Sequence, residues 1–140
     1  MYSPLKQYQN NQVLTASPEK ILIMLYDGAI NFTRIARERI VTKDVQGRGI
    51  YIGKALAIVT ELMNTLNHEV GGEVASRLEQ LYLYLMDEYT KANISWETVH
   101  LDNADKILTI LRDTWKEAAE IVQRERSASL NEQHISRMAG

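Results

Sequence analysis

The sequence predicts an all-α fold, an antiparallel four-helix bundle, on three observations. Both prolines, Pro4 and Pro18, lie in the first eighteen residues of 140, so nothing beyond them forbids helix. Apolar residues recur at spacings of three and four in four separate stretches, the period of a helix with one buried face. The connections between those stretches are short, which makes successive helices antiparallel neighbours.

Residues 1–16 form a polar leader carrying Tyr2, Leu5, Tyr8, Val13 and Leu14. Helix one follows clear punctuation: Ser17 suits the N-cap, Pro18 the first helical position, and Glu19 complements the dipole. Its core stripe reads Ile21, Leu25, Ala29, Phe32, Ala36 and Ile40. Residues 42–48 and the glycines Gly47 and Gly49 mark the first turn. Helix two then spans about residues 50–66, with Ile52, Ala55, Leu56, Val59, Leu62, Met63 and Leu66 inward. A break at residues 67–72 holds Gly71-Gly72, whose missing side chains free the backbone. Helix three continues to about residue 93 on Val74, Ala75, Leu78, Leu81, Tyr82, Leu85 and Tyr89. Ser95 is placed to cap a fourth helix starting at Trp96, with Leu101, Ala104, Leu108, Leu111, Trp115, Ala118 and Val122 inward. Past Gln123 the stripe fades. The expected organisation is therefore a leader or cap over 1–16, the bundle over 17–123, and a frayed, flexible tail over 124–140.

Composition narrows the function classes. Apolar residues make up 45%, enough for one core at this length, and charged residues 24%. The net charge of −2 comes from mixed signs with no basic block, so nucleic acid is a poor partner. The longest purely apolar run lies within residues 21–26, far short of a membrane span, and residues 1–12 have no signal-peptide core. Cysteine is absent, which removes disulfide and thiol chemistry. The simplest compartment is the cytoplasm.

Catalytic constellations are sparse. A ferritin-like metal bundle needs two Glu-x-x-His pairs and two further carboxylates. Glu97 and His100 make one pair, and no second exists. His68-Glu69 with Glu73 lacks the second histidine of a zinc-protease helix, and neither glycine cluster precedes a phosphate-loop Lys-Ser/Thr. No enzyme activity, cofactor or metal is expected. A metal-binding bundle enzyme remains the weakest alternative.

The informative feature is apolar surface beyond the core stripes. On a helical wheel at about 100° per residue, Ile23, Tyr26 and Ile30 align on a second side of helix one. Tyr51 and Ile58 widen helix two, Leu83 and Tyr84 helix three, and Ile107, Ile110 and Ile121 helix four. Aligned exposed apolars suggest a groove for a partner segment. The other reading is that the leader or a second subunit covers them, as in a self-associating helical adaptor. Seven of the ten aromatics are Tyr, a side chain interfaces favour.

Several segments resemble one family, the flagellar export chaperone FliS. They are Thr15-Ala16-Ser17-Pro18-Glu19 leading to Leu25-Tyr26-Asp27-Gly28-Ala29; Gly71-Gly72-Glu73-Val74-Ala75 with Leu78 and Leu81-Tyr82-Leu83-Tyr84; Ala92-Asn93; and Leu111 with Thr114-Trp115. They come in the family's order over roughly residues 1–120. The resemblance implies a four-helix bundle capped by its N-terminal segment. It also implies that the disordered C-terminal segment of flagellin wraps the bundle as short helices in apolar grooves. Such a chaperone blocks premature polymerisation and delivers its client to the flagellar type III export gate. Leu5 and Tyr8 look like the leader pair linked to gate recognition, with Leu where the family favours Ile. The expected partners are thus one flagellin C-terminal segment per chain, bound in the bacterial cytosol, and an export gate protein. No membrane insertion is expected, and the client-free chain is a candidate homodimer.

Overall fold

A computed structural model describes residues 17–139 as four helices: α1 (Pro18–Val41), α2 (Val45–Asn64), α3 (His68–Ser95) and α4 (Val99–Ala139). The leader, with Leu5 and Tyr8, lies outside the described residues.

Local chemistry sets each helix start. Ser17 accepts the Lys20 amide at 3.4 Å and Pro18 opens α1, as its sequence indicates. α2 begins at Val45 rather than near residue 50, because Asp44 caps it by accepting the Gly47 amide at 2.9 Å. Gly47 is therefore inside the helix. A Cβ there would meet Asp44 Cγ at 2.8 Å and Arg39 Cδ at 2.9 Å, so close approach requires the glycine. Asn67 caps α3 by accepting the Glu69 and Val70 amides, each at 3.1 Å. The expected break at 67–72 shrinks to a kink at Gly72, whose φ of 51° an L side chain resists.

Two helix ends correct the sequence reading. Trp96 does not start α4. It closes α3 with a left-handed φ of 60°, and α4 starts at Val99. Helix also continues through residues 124–139, where a frayed tail was expected. That stretch lacks glycine and proline and is rich in Ala, Glu, Gln, Arg, Leu and Met, so backbone propensity favours helix although every side chain from Gln123 to Ala139 is exposed.

The chain divides into two compact units, one of residues 24–112 and one joining the residues up to Ile23 to those from Asp113 onward. Within residues 24–112 the contacts give the helix directions. Gly28 faces Ile58 and Phe32 faces Tyr51, so α1 and α2 run antiparallel. Asp27–Arg112 (3.2 Å), Arg34–Asp105 (2.8 Å) and Arg37–Asp102 (2.6 Å) run in opposite order on α1 and α4. Tyr26–Tyr82 (2.5 Å) and Thr33–Tyr89 (2.6 Å) rise together, so α1 and α3 are the parallel diagonal. This is the expected antiparallel bundle.

Its core holds Tyr26, Ala29, Ile30, Thr33, Ala36 and Ile40 of α1 against Val59, Leu62, Tyr82, Leu85, Tyr89, Leu101 and Leu108. Tyr26 and Ile30 are thus core residues, a correction to their placement on a spare surface stripe. The buried face of α1 is centred on Thr33, whose polarity hid it: Thr33 Oγ1 donates to the Ala29 carbonyl at 2.7 Å and accepts from the Tyr89 hydroxyl. Ile21, Leu25 and Phe32, expected at the core centre, are only half-buried. In the other unit, Arg126 pairs with Glu19 at 3.5 Å. Among the described residues no helix is long and apolar enough to cross a membrane.

Candidate partner-binding surfaces

The seam between α1 and α2 is built on a missing side chain. Gly28 lets Ile58 Cδ1 sit 3.1 Å from where a Cβ would stand. One turn further along α1, the Phe32 and Tyr51 rings are 6.1 Å apart and tilted by 36°. Lys54 Nζ lies over both rings, at 5.5 and 5.2 Å, and the Arg39 guanidinium lies 5.9 Å from Tyr51. Tyr51 and Ile58 are seven residues apart, two helical turns on one face. The result is a half-buried apolar strip edged by cations, suited to an apolar helix face with acidic flanks.

The other expected residues fall elsewhere. On α4, Ile110 is 52% exposed while Ile107 is half-buried. On α3, Leu83 and Tyr84 are exposed, as their offset from the core stripe indicates. Ile23 and Ile121 belong to the second unit, half-buried and exposed respectively. That unit holds an apolar recess of ≈ 250 Å³ walled by Pro18, Leu22, Trp115, Ala118, Ala119 and Val122. Trp115, Ala118 and Val122 were read as inward in the sequence, whereas Leu22 and Ala119 were not singled out. Their signal is size: two alanines in a row leave room beside a tryptophan one turn away.

Most polar groups buried in the bundle are satisfied internally. Buried Glu88 accepts from His100 Nδ1 and Asn103 Nδ2, both at 3.1 Å. Glu97, the first half of the lone Glu-x-x-His pair, stays 3.8 Å from His100 Nε2. Among the described residues no group of three or more His, Cys, Asp or Glu is placed to hold a metal. Burial pushes the Tyr89 phenol up to about 12, against the lowering effect of the Thr33 hydrogen bond. Burial, with the Tyr26 hydrogen bond, drives Tyr82 higher still. Burial alone would raise the Asp105 carboxyl, but hydrogen bonds from Arg34 and Thr109 and the charges of Arg34 and Arg112 hold it below its ordinary 3.8.

Comparisons with known proteins agree with this picture. The family model described as flagellar protein FliS matches residues 1–122. The chain is 32% identical over 127 residues to the flagellar secretion chaperone FliS of Bacillus subtilis, covering 91% of this chain and 94% of that one. It is 33% identical to FliSB of Pseudomonas aeruginosa, over 79% of this chain and 91% of the relative. A crystal structure described as a flagellar chaperone from bacteria superposes with a TM-score of 0.70 at 24% identity, covering 83% of this chain and 94% of the other. That likeness shows the all-α bundle fold.

Proposed function

Because the chain belongs to the FliS family of flagellar secretion chaperones, a family without enzymatic activity, we propose that its client is flagellin, held by the disordered C-terminal segment. The observation that carries this reading is the half-buried strip of Phe32, Tyr51 and Ile58, together with exposed Ile110, Leu83 and Tyr84. A flagellin end buries its apolar helix faces only in the assembled filament. Folding those faces onto the strip removes them from water, at the cost of ordering the segment. The segment stays unavailable for polymerisation while bound. The reading places the protein in the bacterial cytosol, with one client segment per chain.

Residues 1–16 act in this reading as a detachable leader, and Leu5 and Tyr8 as its contact with the export gate protein. Co-purification tests the client assignment: full-length flagellin is retained, and flagellin lacking its C-terminal segment is lost. Equal retention of both rejects it. Exposed Leu130, Ile135 and Met138 on α4 favour a second reading, self-association of the client-free chain. Sedimentation with and without a flagellin peptide separates the two.

A further inference from the structure

One charged group inside the bundle lacks a partner that physics requires. Arg48 on α2 is 9% exposed, and its Nε and Nη1 atoms are buried with no hydrogen-bond partner among the described residues. A buried guanidinium without an acceptor is costly, and buried charges are ordinarily paired. Its nearest compensation is the Trp96 ring, whose centroid lies 3.7 Å from Arg48 Cζ. Stacking offsets part of the charge but leaves the donors unused.

Trp96 is also one wall of an open recess of ≈ 340 Å³, with Ile40, Lys43 and Val45 as the others. The recess lies where the α1–α2 and α3–α4 connections meet. Around it, Val41, Val45 and Val99 are exposed. Lys43 has no ion pair among the described residues, whereas the adjacent carboxylate is engaged: Asp44 caps α2 and pairs with Arg39 at 3.6 Å. Two backbone positions at this end, Lys43 and Trp96, hold φ of 60°. Both close a helix C-terminus in the left-handed conformation, which fixes the Trp96 ring position at this end.

We infer that this end of the bundle docks a peptide segment bearing a carboxylate beside an apolar side chain. The apolar side chain enters the recess against Trp96, Ile40 and Val45. The carboxylate takes the unused donors of Arg48, flanked by Lys43. Trp96 both stacks on the guanidinium and lines the recess, so its ring shifts along that face to admit the carboxylate to the donors at the guanidinium edge. Charge complementarity selects the occupant: Lys43 lines the recess, Arg48 stacks on its Trp96 wall, and neither has a carboxylate partner among the described residues. A purely apolar segment would leave Arg48 as costly as before. The recess is lined by none of the strip residues Phe32, Tyr51 and Ile58, and the inference does not depend on what that strip binds.

The test uses the full chain and a model peptide, acetyl-Ser-Leu-Glu-Leu-Ser-amide, followed by the Trp96 indole and Arg48 Nε proton signals. Titration should give saturable shifts of both. The Gln version of the peptide should bind at least tenfold more weakly, as should Lys43→Gln and Arg48→Met chains toward the Glu peptide. Lys43 is exposed, so its variant folds and keeps the test valid if Arg48→Met does not. Trp96→Gly, which suits the backbone at positive φ, should abolish the preference for Leu over Ser beside the carboxylate. Absence of saturable shifts, equal binding of Glu and Gln peptides, or acetate binding as tightly as the peptide would each overturn the inference.

Discussion

The Tyr89 hydroxyl donates to Thr33 Oγ1 at 2.6 Å, seven residues along both helices from the Tyr26–Tyr82 pair. These two bonds tie the diagonal helices α1 and α3 at one register, two turns apart, through an otherwise apolar core. Each polar group is satisfied, which makes the pairs specific: a slip of one residue along α1 would strand hydroxyls in hydrocarbon.

The Thr33–Tyr89 bond gives the first prediction. Thr33→Val leaves the buried Tyr89 hydroxyl without its acceptor and should cost about 1–3 kcal/mol in urea unfolding. Tyr89→Phe leaves Thr33 bonded to Ala29 and should cost about 1 kcal/mol. The double variant should lose less than the two single losses combined, because neither side retains a stranded group. Strict additivity would mean the bond carries no coupling.

A second prediction concerns alkaline pH. Tyr89 is raised to about 12 in the folded chain, against about 10 when unfolded. The stability this represents is fully present below pH ~10 and is lost as pH rises through the folded value. Melting temperature should therefore fall above pH ~10. Tyr82 and Tyr89 should not contribute to the tyrosinate absorbance until the chain unfolds. Tyrosinate absorbance from all seven tyrosines in the folded chain near pH 10 would contradict their burial.

Two glycines of α2 should respond with opposite signs. Gly47→Ala pushes a Cβ into the Asp44 cap and Arg39, and should cost about 1–2 kcal/mol despite alanine's better helix propensity. Gly53 has nothing within 4 Å of the position, so Gly53→Ala should stabilise by up to ~1 kcal/mol. Thermal unfolding of both variants checks the pair.

These glycines also show what the sequence makes legible. Ser17, Pro18, the four stripes and the short connections mark four antiparallel helices because each rests on local periodicity or capping. Gly47 and Gly49 read as a turn because composition does not distinguish a glycine needed for φ from one needed for close approach. Asp44, three residues before Gly47, was the available signal for the true helix start. The fading stripe after Val122 reports the end of packing, not the end of helix. Tyr26 and Ile30 were misplaced because Thr33, at the centre of their face, looks polar until Tyr89 is seen to satisfy it. The strip of Tyr51 and Ile58 was visible on the wheel, but its floor at Gly28 was not, since it depends on a tertiary approach.

Ile110→Asp tests the exposed face of α4. Ile110 is half exposed, so the variant should fold with an unchanged melting temperature. An unpaired charge desolvated under a bound client costs several kcal/mol, so affinity for flagellin should fall at least tenfold. Unchanged affinity would place the client elsewhere on the bundle.

Calorimetric titration of the chain with flagellin, intact and without its C-terminal segment, tests the chaperone reading most directly. Intact flagellin should bind one to one with a negative heat-capacity change from apolar burial, and the truncated form should give no binding heat. Equal affinity and equal heat-capacity change for both forms would contradict it.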